Sequence, residues 1–370
     1  MQDGLEYFAA CAPGLEPLLA GELTRLGATP QVVPGGVEFT GSLELLGCAQ
    51  RWLGTASHVL RRCAKFRCRA LGELERKVAE LEAAGWLPRG QAFHVRASAR
   101  HSRVYHTSAI ERHFRAGLAR ALEDPAQAEE PPRDAELPCY AARFFSDVCT
   151  ISLDPAATPL HRRGYRLAMG KAPLREDLAH ALVLASGWRD DEAFFDPFCG
   201  SGTIAIEAAR LAHGIAPGAL RAAVLPEGTP PPGFAPARTG QIRASDRDEL
   251  AAEHARANAE RAGVTAHLEI RASAFSAHPW LAKPKDAPER GVLVCNPPFG
   301  KRVAGGGDLR VLYQSLGHRF QQLGPGWRLV LLAHDLRLAR AVGVPLKRLF
   351  TTRHGGLAVS ALSSSPLTVQ

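Results

Sequence analysis

The run Asn296-Pro297-Pro298-Phe299 combines residue types that suit one kind of chemistry. Neither proline carries a backbone N–H, so the segment offers the Asn296 side-chain oxygen and main-chain carbonyls as acceptors, with few competing donors. Such a surface receives a donor-only amino group. Phe299 adds an apolar plate of the kind a nucleobase needs once it has left its stack. The predicted target is an exocyclic amine on a base, with adenine, cytosine and guanine all open. For Asn-Pro alone, a proline-rich turn after a strand is the plainer reading.

A second constellation is Asp196-Pro197-Phe198-Cys199-Gly200-Ser201-Gly202-Thr203. Gly200 and Gly202 let the backbone approach a ligand closely, and the helix start beyond them offers free N–H groups to a carboxylate. No third glycine stands at the dinucleotide spacing and no lysine follows as in a P-loop, which counts against NAD and against a nucleoside triphosphate. Asp246, after the next strand, is placed to accept from two ribose hydroxyls, whereas Asp248 reads as a helix cap. A carboxylate site, a ribose acid and a base-amine loop together describe S-adenosyl-L-methionine beside a nucleobase.

These residues need strands to end where they stand. Gly291 to Cys295 reads as a short buried strand delivering Asn296, and Ala193 to Phe195 and Gln241 to Ala244 do the same for Asp196 and Asp246. Helical patterns at 175–185, 204–212, 248–262 and 309–323 alternate with these strands and with 328–332, which predicts a doubly wound, mostly parallel sheet whose ligands lie at strand C-termini. A proline- and glycine-rich loop interrupts at 216–240, and a C-terminal antiparallel hairpin turns near His354-Gly355. The first sixty residues read βαββα, an α+β ferredoxin-like unit.

From Ala56 to Arg69 the chain turns basic. If extended, Arg61, Lys65, Arg67 and Arg69 share a parity and would line one face with Arg62 nearby. Arg96, Arg100 and Arg103 continue the basic character, as do Arg162 and Arg163 in an irregular stretch and Lys301 and Arg302 after the amine loop. A solvated charged face is the ordinary alternative to a phosphate-binding one. Over the whole chain Lys+Arg 45 against Asp+Glu 37 leaves +8, compatible with a polyanionic partner. With 46% hydrophobic residues, 370 residues suffice for two or three domains. Eight scattered cysteines without a Cys-x-x-Cys pair argue against a metal site and fit a reduced, cytoplasmic setting. No membrane span or export signal is predicted, and a monomer is expected.

On these motifs the chain resembles a class I methyltransferase with the (Asp/Asn)-Pro-Pro-(Phe/Tyr) signature. More narrowly, it is similar to the THUMP-domain RNA guanine-N2 methyltransferases, through His161-Arg162-Arg163-Gly164-Tyr165-Arg166, Lys171-Ala172-Pro173-Leu174-Arg175-Glu176, the Asp196 to Thr203 motif and Ile215-Ala216-Pro217-Gly218. The resemblance implies a ferredoxin-like domain over 1–60, a THUMP RNA-binding domain over 61–165 and a Rossmann-like methyltransferase domain over 166–370. It implies a methionine-side pocket from Asp196, Cys199, Gly200 and Gly202, with Pro197, Ser201 and Thr203 in the same loop. Asp246 becomes the ribose clamp, Lys171 and Arg175 the segment over the cofactor, with a plain helix-start cation as the alternative for Arg175, and Asn296 to Phe299 the target-base site. Ser273 stands where relatives carry an acid, which leaves adenine to Ser273, to a backbone carbonyl in the Ser273-Ala274 segment, or to stacking on Phe275. The implied reaction methylates guanosine N2 in large-subunit rRNA. A tRNA substrate, a DNA amino-methyltransferase and an idle RNA-binding assembly factor are the alternatives.

Overall fold

A computed structural model describes residues 4–83, 86–88, 90–156, 158–166, 174–221, 229–230, 239–298 and 308–364. Lys171, Phe299, Lys301, Arg302 and most of the expected 216–240 loop lie outside the described residues.

The N-terminal half contains β1 (Leu5–Cys11), α1 (Glu16–Arg25), β2 (Gln31–Val33), β3 (Gly36–Gly41), α2 (Leu43–Trp52) and β4 (Ala56–Arg67). It continues with α3 (Leu71–Ala79), β5 (His94–Arg100), α4 (Thr107–Ala121), β6 (Cys139–Phe145) and β7 (Val148–Asp154). Ser42 accepts from the Leu45 N–H at 3.3 Å and so caps α2. All seven strands form one sheet in the order β2-β3-β1-β4-β7-β6-β5. The twelve-residue β4 is the join: it pairs with β1 on one side and with β7 on the other, running through positions 60 and 61 without a break.

Side-chain alternation puts every helix of this half on one face of that sheet. Tyr7, Ala9, Val37 and Val59 pack under α1 and α2, while Tyr140, Ala142, Ile151 and Leu153 pack under α3 and α4. Pairing of Tyr7 with Arg61, and of Arg61 with Leu153, shows that these positions share one side.

The C-terminal half contains α5 (Glu176–Ala185), β8 (Ala193–Asp196), α6 (Thr203–Ala212), β9 (Ile242–Asp246), α7 (Glu249–Arg261) and β10 (Leu268–Ala272). It continues with α8 (Pro279–Ala282), β11 (Gly291–Cys295), α9 (Leu309–Gln322), β12 (Trp327–Ala333), α10 (Leu336–Arg340), β13 (Lys347–His354) and β14 (Leu357–Ser363). Its sheet runs β10-β9-β8-β11-β12-β14-β13, parallel from β10 to β12. It closes with the antiparallel β13–β14 hairpin, whose two-residue turn, Gly355 and Gly356, takes φ of 54° and 82°. The fold is therefore the doubly wound, Rossmann-like α/β arrangement that the alternation of strands and helices predicts.

The two halves share a core. Leu19, Leu46 and Leu53 belong to the same buried cluster as Leu178, Leu182, Ile206 and Val294. A charged knot crosses the same boundary. Glu22 accepts from the backbone N–H of Gly54 at 2.8 Å and of Thr55 at 3.0 Å. His180 reaches Glu22 at 3.5 Å through Nε2 and Glu207 at 3.0 Å through Nδ1. Tyr165 donates to Glu207 at 3.0 Å, and the guanidinium of Arg163 stands 3.7 Å from the same carboxylate while donating to the Gly54 carbonyl.

Candidate active site

The sheet order reverses direction between β8 and β11, and the C-terminal ends of β9, β8 and β11 lie side by side there. That is the crevice in which open α/β sheets hold ligands. Asp196, Asp246 and Asn296 stand at those three ends.

The loop after β8 is fixed by its own backbone N–H groups. The Phe198 N–H donates to Asp196 Oδ1 at 3.2 Å, the Cys199 N–H to the Ser245 carbonyl at 3.0 Å, and the Gly200 N–H to Asp246 Oδ2 at 2.9 Å. Gly202 caps α6 at φ 86°, a left-handed conformation, and a Cβ there would meet the Ala255 Cβ at 3.0 Å. Gly200, at φ 51°, faces open space instead. One glycine serves packing and the other leaves room. Asn258, fully buried on α7, donates to the Ser201 carbonyl at 2.9 Å and fixes the loop from behind. Nothing in the motif pointed to Asn258; the available signal was an amide on the alanine-rich face of a helix.

Asp196 is fully buried, and its Oδ2 has no hydrogen-bond partner. Burial pushes its pKa up to about 8, with the Phe198 N–H opposing and Asp246 reinforcing the shift. Asp246 keeps both oxygens on backbone N–H groups, Gly200 on one and Asp248 on the other at 3.0 Å. Asp248 caps α7 by accepting from Leu250 at 3.0 Å. Across the crevice the Ser273 N–H donates to the Asp246 carbonyl at 2.7 Å, and the Ser273 hydroxyl is buried without a partner. The rings of Phe198 and Phe275 lie 5.1 Å apart, an apolar wall to which the motif reading gave only Phe275. Among the described residues Asn296 Oδ1 is likewise buried and unpartnered, Pro297 is buried and Pro298 exposed. Three orphaned oxygens on one edge mark a place shaped for hydrogen-bond donors.

Arg175 is the residue before α5. Its guanidinium pairs with Asp177 at 3.1 Å and approaches His161 Nδ1 at 3.4 Å, so the described contacts of this cation lie within the helix start and its neighbour.

Two of the expected RNA-binding residues are misplaced. A β-bulge falls between Arg62 and Ala64, so the parity that groups Arg61 with Lys65 and Arg67 is broken. Arg61 is buried, 7% exposed, on the helix-covered face; Arg62, Lys65 and Arg67 share the opposite face. Arg163 is fully buried in the charged knot around Glu207. Arg69, Arg96, Arg100, Arg103 and Arg162 are exposed, and Arg69 pairs with Asp147 at 3.2 Å.

The chain matches the model of the RMKL-like methyltransferase domain over residues 163–358 and that of the RlmL ferredoxin-like domain over 6–60. A ribosomal RNA large subunit methyltransferase K/L of Psychromonas ingrahamii is 33% identical over 377 residues, covering 95% of this chain and 49% of that protein. An RNA methyltransferase candidate of Synechocystis sp. is 29% identical, covering 96% and 95%. The crystal structure of SMU.472 complexed with SAH superposes with a TM-score of 0.83 at 26% identity, covering 100% of both chains. The chain spans about half the length of the K/L relatives it matches. With a family model accounting for more than half of its residues, the chain belongs to the RMKL-like methyltransferase domain family.

Proposed function

We propose that this chain transfers a methyl group from S-adenosyl-L-methionine to the exocyclic N2 amine of a guanosine in large-subunit rRNA. The observation that carries it is the buried, unpartnered Asn296 Oδ1 at the end of β11, beside the Asp196 and Asp246 ends of β8 and β9. The relatives named as large-subunit rRNA methyltransferases support the substrate class. The same proposal assigns residues 1–60 to a ferredoxin-like domain, 61–165 to a THUMP domain and 166–370 to the catalytic domain.

The donor set suits the cofactor. Asp196 Oδ2 and the free N–H groups at the start of α6 would hold its ammonium and carboxylate, Asp246 retains lone pairs for ribose hydroxyls, and Ser273 with the Phe198–Phe275 wall would hold adenine. When bound, the cofactor supplies an electrophilic sulfonium methyl. The protein's task is then alignment. Asn296 Oδ1 and the Pro297 carbonyl accept the two amine hydrogens, which turns the nitrogen lone pair out of conjugation and toward the methyl. Asp196, whose pKa burial pushes up to about 8, would give up its proton beside the cofactor's ammonium. No strong base is needed, because the amine becomes acidic only as it is methylated, and the proton it then loses passes to solvent.

Asn296→Ala should abolish transfer of labelled methyl groups to rRNA from a strain lacking the gene, while cofactor affinity changes less than threefold by calorimetry. Nucleoside analysis of the product should give N2-methylguanosine. Methyl groups on adenine, or on tRNA alone, or full activity of the variant, would overturn the proposal.

A further inference from the structure

The four helices of the N-terminal half cover one face of its seven-stranded sheet, and the other face is open. On β4 the bulge gathers Arg62, Lys65 and Arg67 onto that open side. Register carries the face across the sheet: Arg62 pairs with Ser152, Lys65 with Thr150, Arg143 with Ser98 and Phe145 with Arg100. Among the described residues none of Lys65, Arg67, Arg96, Arg100 and Arg143 forms an ion pair, and all five are exposed. Acids on this face are outnumbered: Asp154 holds His58 at 2.6 Å, Glu38 stands 3.5 Å from Arg62, and Glu6 is exposed beside them.

Aromatic rings interrupt the charge. Phe145, at the tip of the β6–β7 hairpin, is 50% exposed, with the His101 ring perpendicular to it at 5.8 Å between centroids. On β1, Phe8 carries the Arg62 guanidinium 4.6 Å above its ring. Phe8 and Phe145 lie three strands apart and, because Phe8 aligns with Leu60 while Phe145 aligns through Val148 with Arg67, they are also offset along the strands, which puts them about 25 Å from one another. A groove beside Phe145 runs past Thr150, Arg143, Lys65, Arg62, Glu38 and Glu6.

We infer that this open sheet face is a platform for single-stranded RNA, on which bases stack against Phe145 and the Arg62–Phe8 pair while the unpaired cations hold phosphates. The inference rests on the RNA substrate proposed above and narrows it to an unpaired segment outside the catalytic crevice. A broad sheet cannot enter the deep, narrow groove of duplex RNA, and exposed rings gain nothing from bases that are already stacked. Charge alone would serve either form; rings alternating with cations favour the single strand.

Binding of a labelled single strand of about twelve nucleotides, and of its duplex, would be followed by fluorescence anisotropy against salt. The single strand should bind about tenfold more tightly or better. Phe145→Ala should weaken it by about tenfold with the salt dependence unchanged, Phe145→Tyr should restore it, and Arg143→Ala should lower the slope of log K against log salt by about 0.7. Equal or stronger duplex binding, or a Phe145→Ala protein indistinguishable from the parent, overturns the platform. If the parent protein still methylates RNA in that event, the platform alone fails; a parent that methylates no RNA removes the reading beneath it.

Discussion

At the scale of residues, Asp196 carries the site's most direct consequence. Its unfolded pKa lies near 3.8 and its folded pKa at about 8. Between those values the folded state holds a proton that the unfolded state has lost, so this group's contribution to stability falls as pH rises from about 4 to about 8. Asp196→Asn removes that dependence. The melting temperature of the variant, measured against the parent, should climb steadily across the window, and parallel curves would show that Asp196 is ionised in the fold. The cationic ammonium of the cofactor should reverse the shift, so that binding near neutral pH releases a proton. Calorimetry in buffers of different ionisation enthalpy should detect that release, and Asp196→Asn should abolish it.

At the scale of elements, the strand ends were legible in the sequence. Apolar runs stop where Asp196, Asp246 and Asn296 begin, and the parallel order follows from their alternation with helices. The two losses had causes remote in sequence. Strand parity across Arg61 to Arg69 assumed an uninterrupted ladder, and the bulge beside Cys63 depends on pairing with β7, which is remote in sequence. Arg163 read as part of an RNA-binding basic run because its partner, Glu207, lies forty-four residues further on. Arg61 leaves Nε and Nη1 unpartnered in the interior, so its charge is a burden there. Arg61→Met should therefore leave the melting temperature unchanged or higher and RNA affinity intact, whereas Lys65→Ala should lower affinity. A loss of RNA binding in Arg61→Met equal to that of Lys65→Ala would return Arg61 to the binding surface.

At the scale of the molecule, His180 ties the halves together. Burial opposes its charge, but hydrogen bonds to Glu207 and Glu22 outweigh that and hold its pKa above the usual value. Burial likewise works against the two carboxylates, yet Arg163 and His180 bring Glu207 down to about 2, and His180 with Thr55 lowers Glu22. The histidine's contribution is fully present below pH 6.5 and is lost as pH rises through its raised folded pKa. The carboxylates contribute above pH 4.5 and lose this as pH falls toward their lowered values. His180→Leu leaves two buried carboxylates short of a donor and should cost about 3–5 kcal/mol, read as a lower melting temperature with faster proteolysis between residues 50 and 60. Unaltered stability would show that the apolar contacts alone join the halves.

The unbroken passage of β4 from one N-terminal unit into the next has a consequence for substrate choice. No linker separates the strand that carries Arg62 from the strands that lie against the catalytic half. A transcript held on that face would meet Asn296 at a distance counted in nucleotides and set by the protein. The enzyme would then select its target by position along the chain of RNA, so that inserting one unpaired nucleotide between the held segment and the target should move methylation to a neighbouring guanosine or stop it.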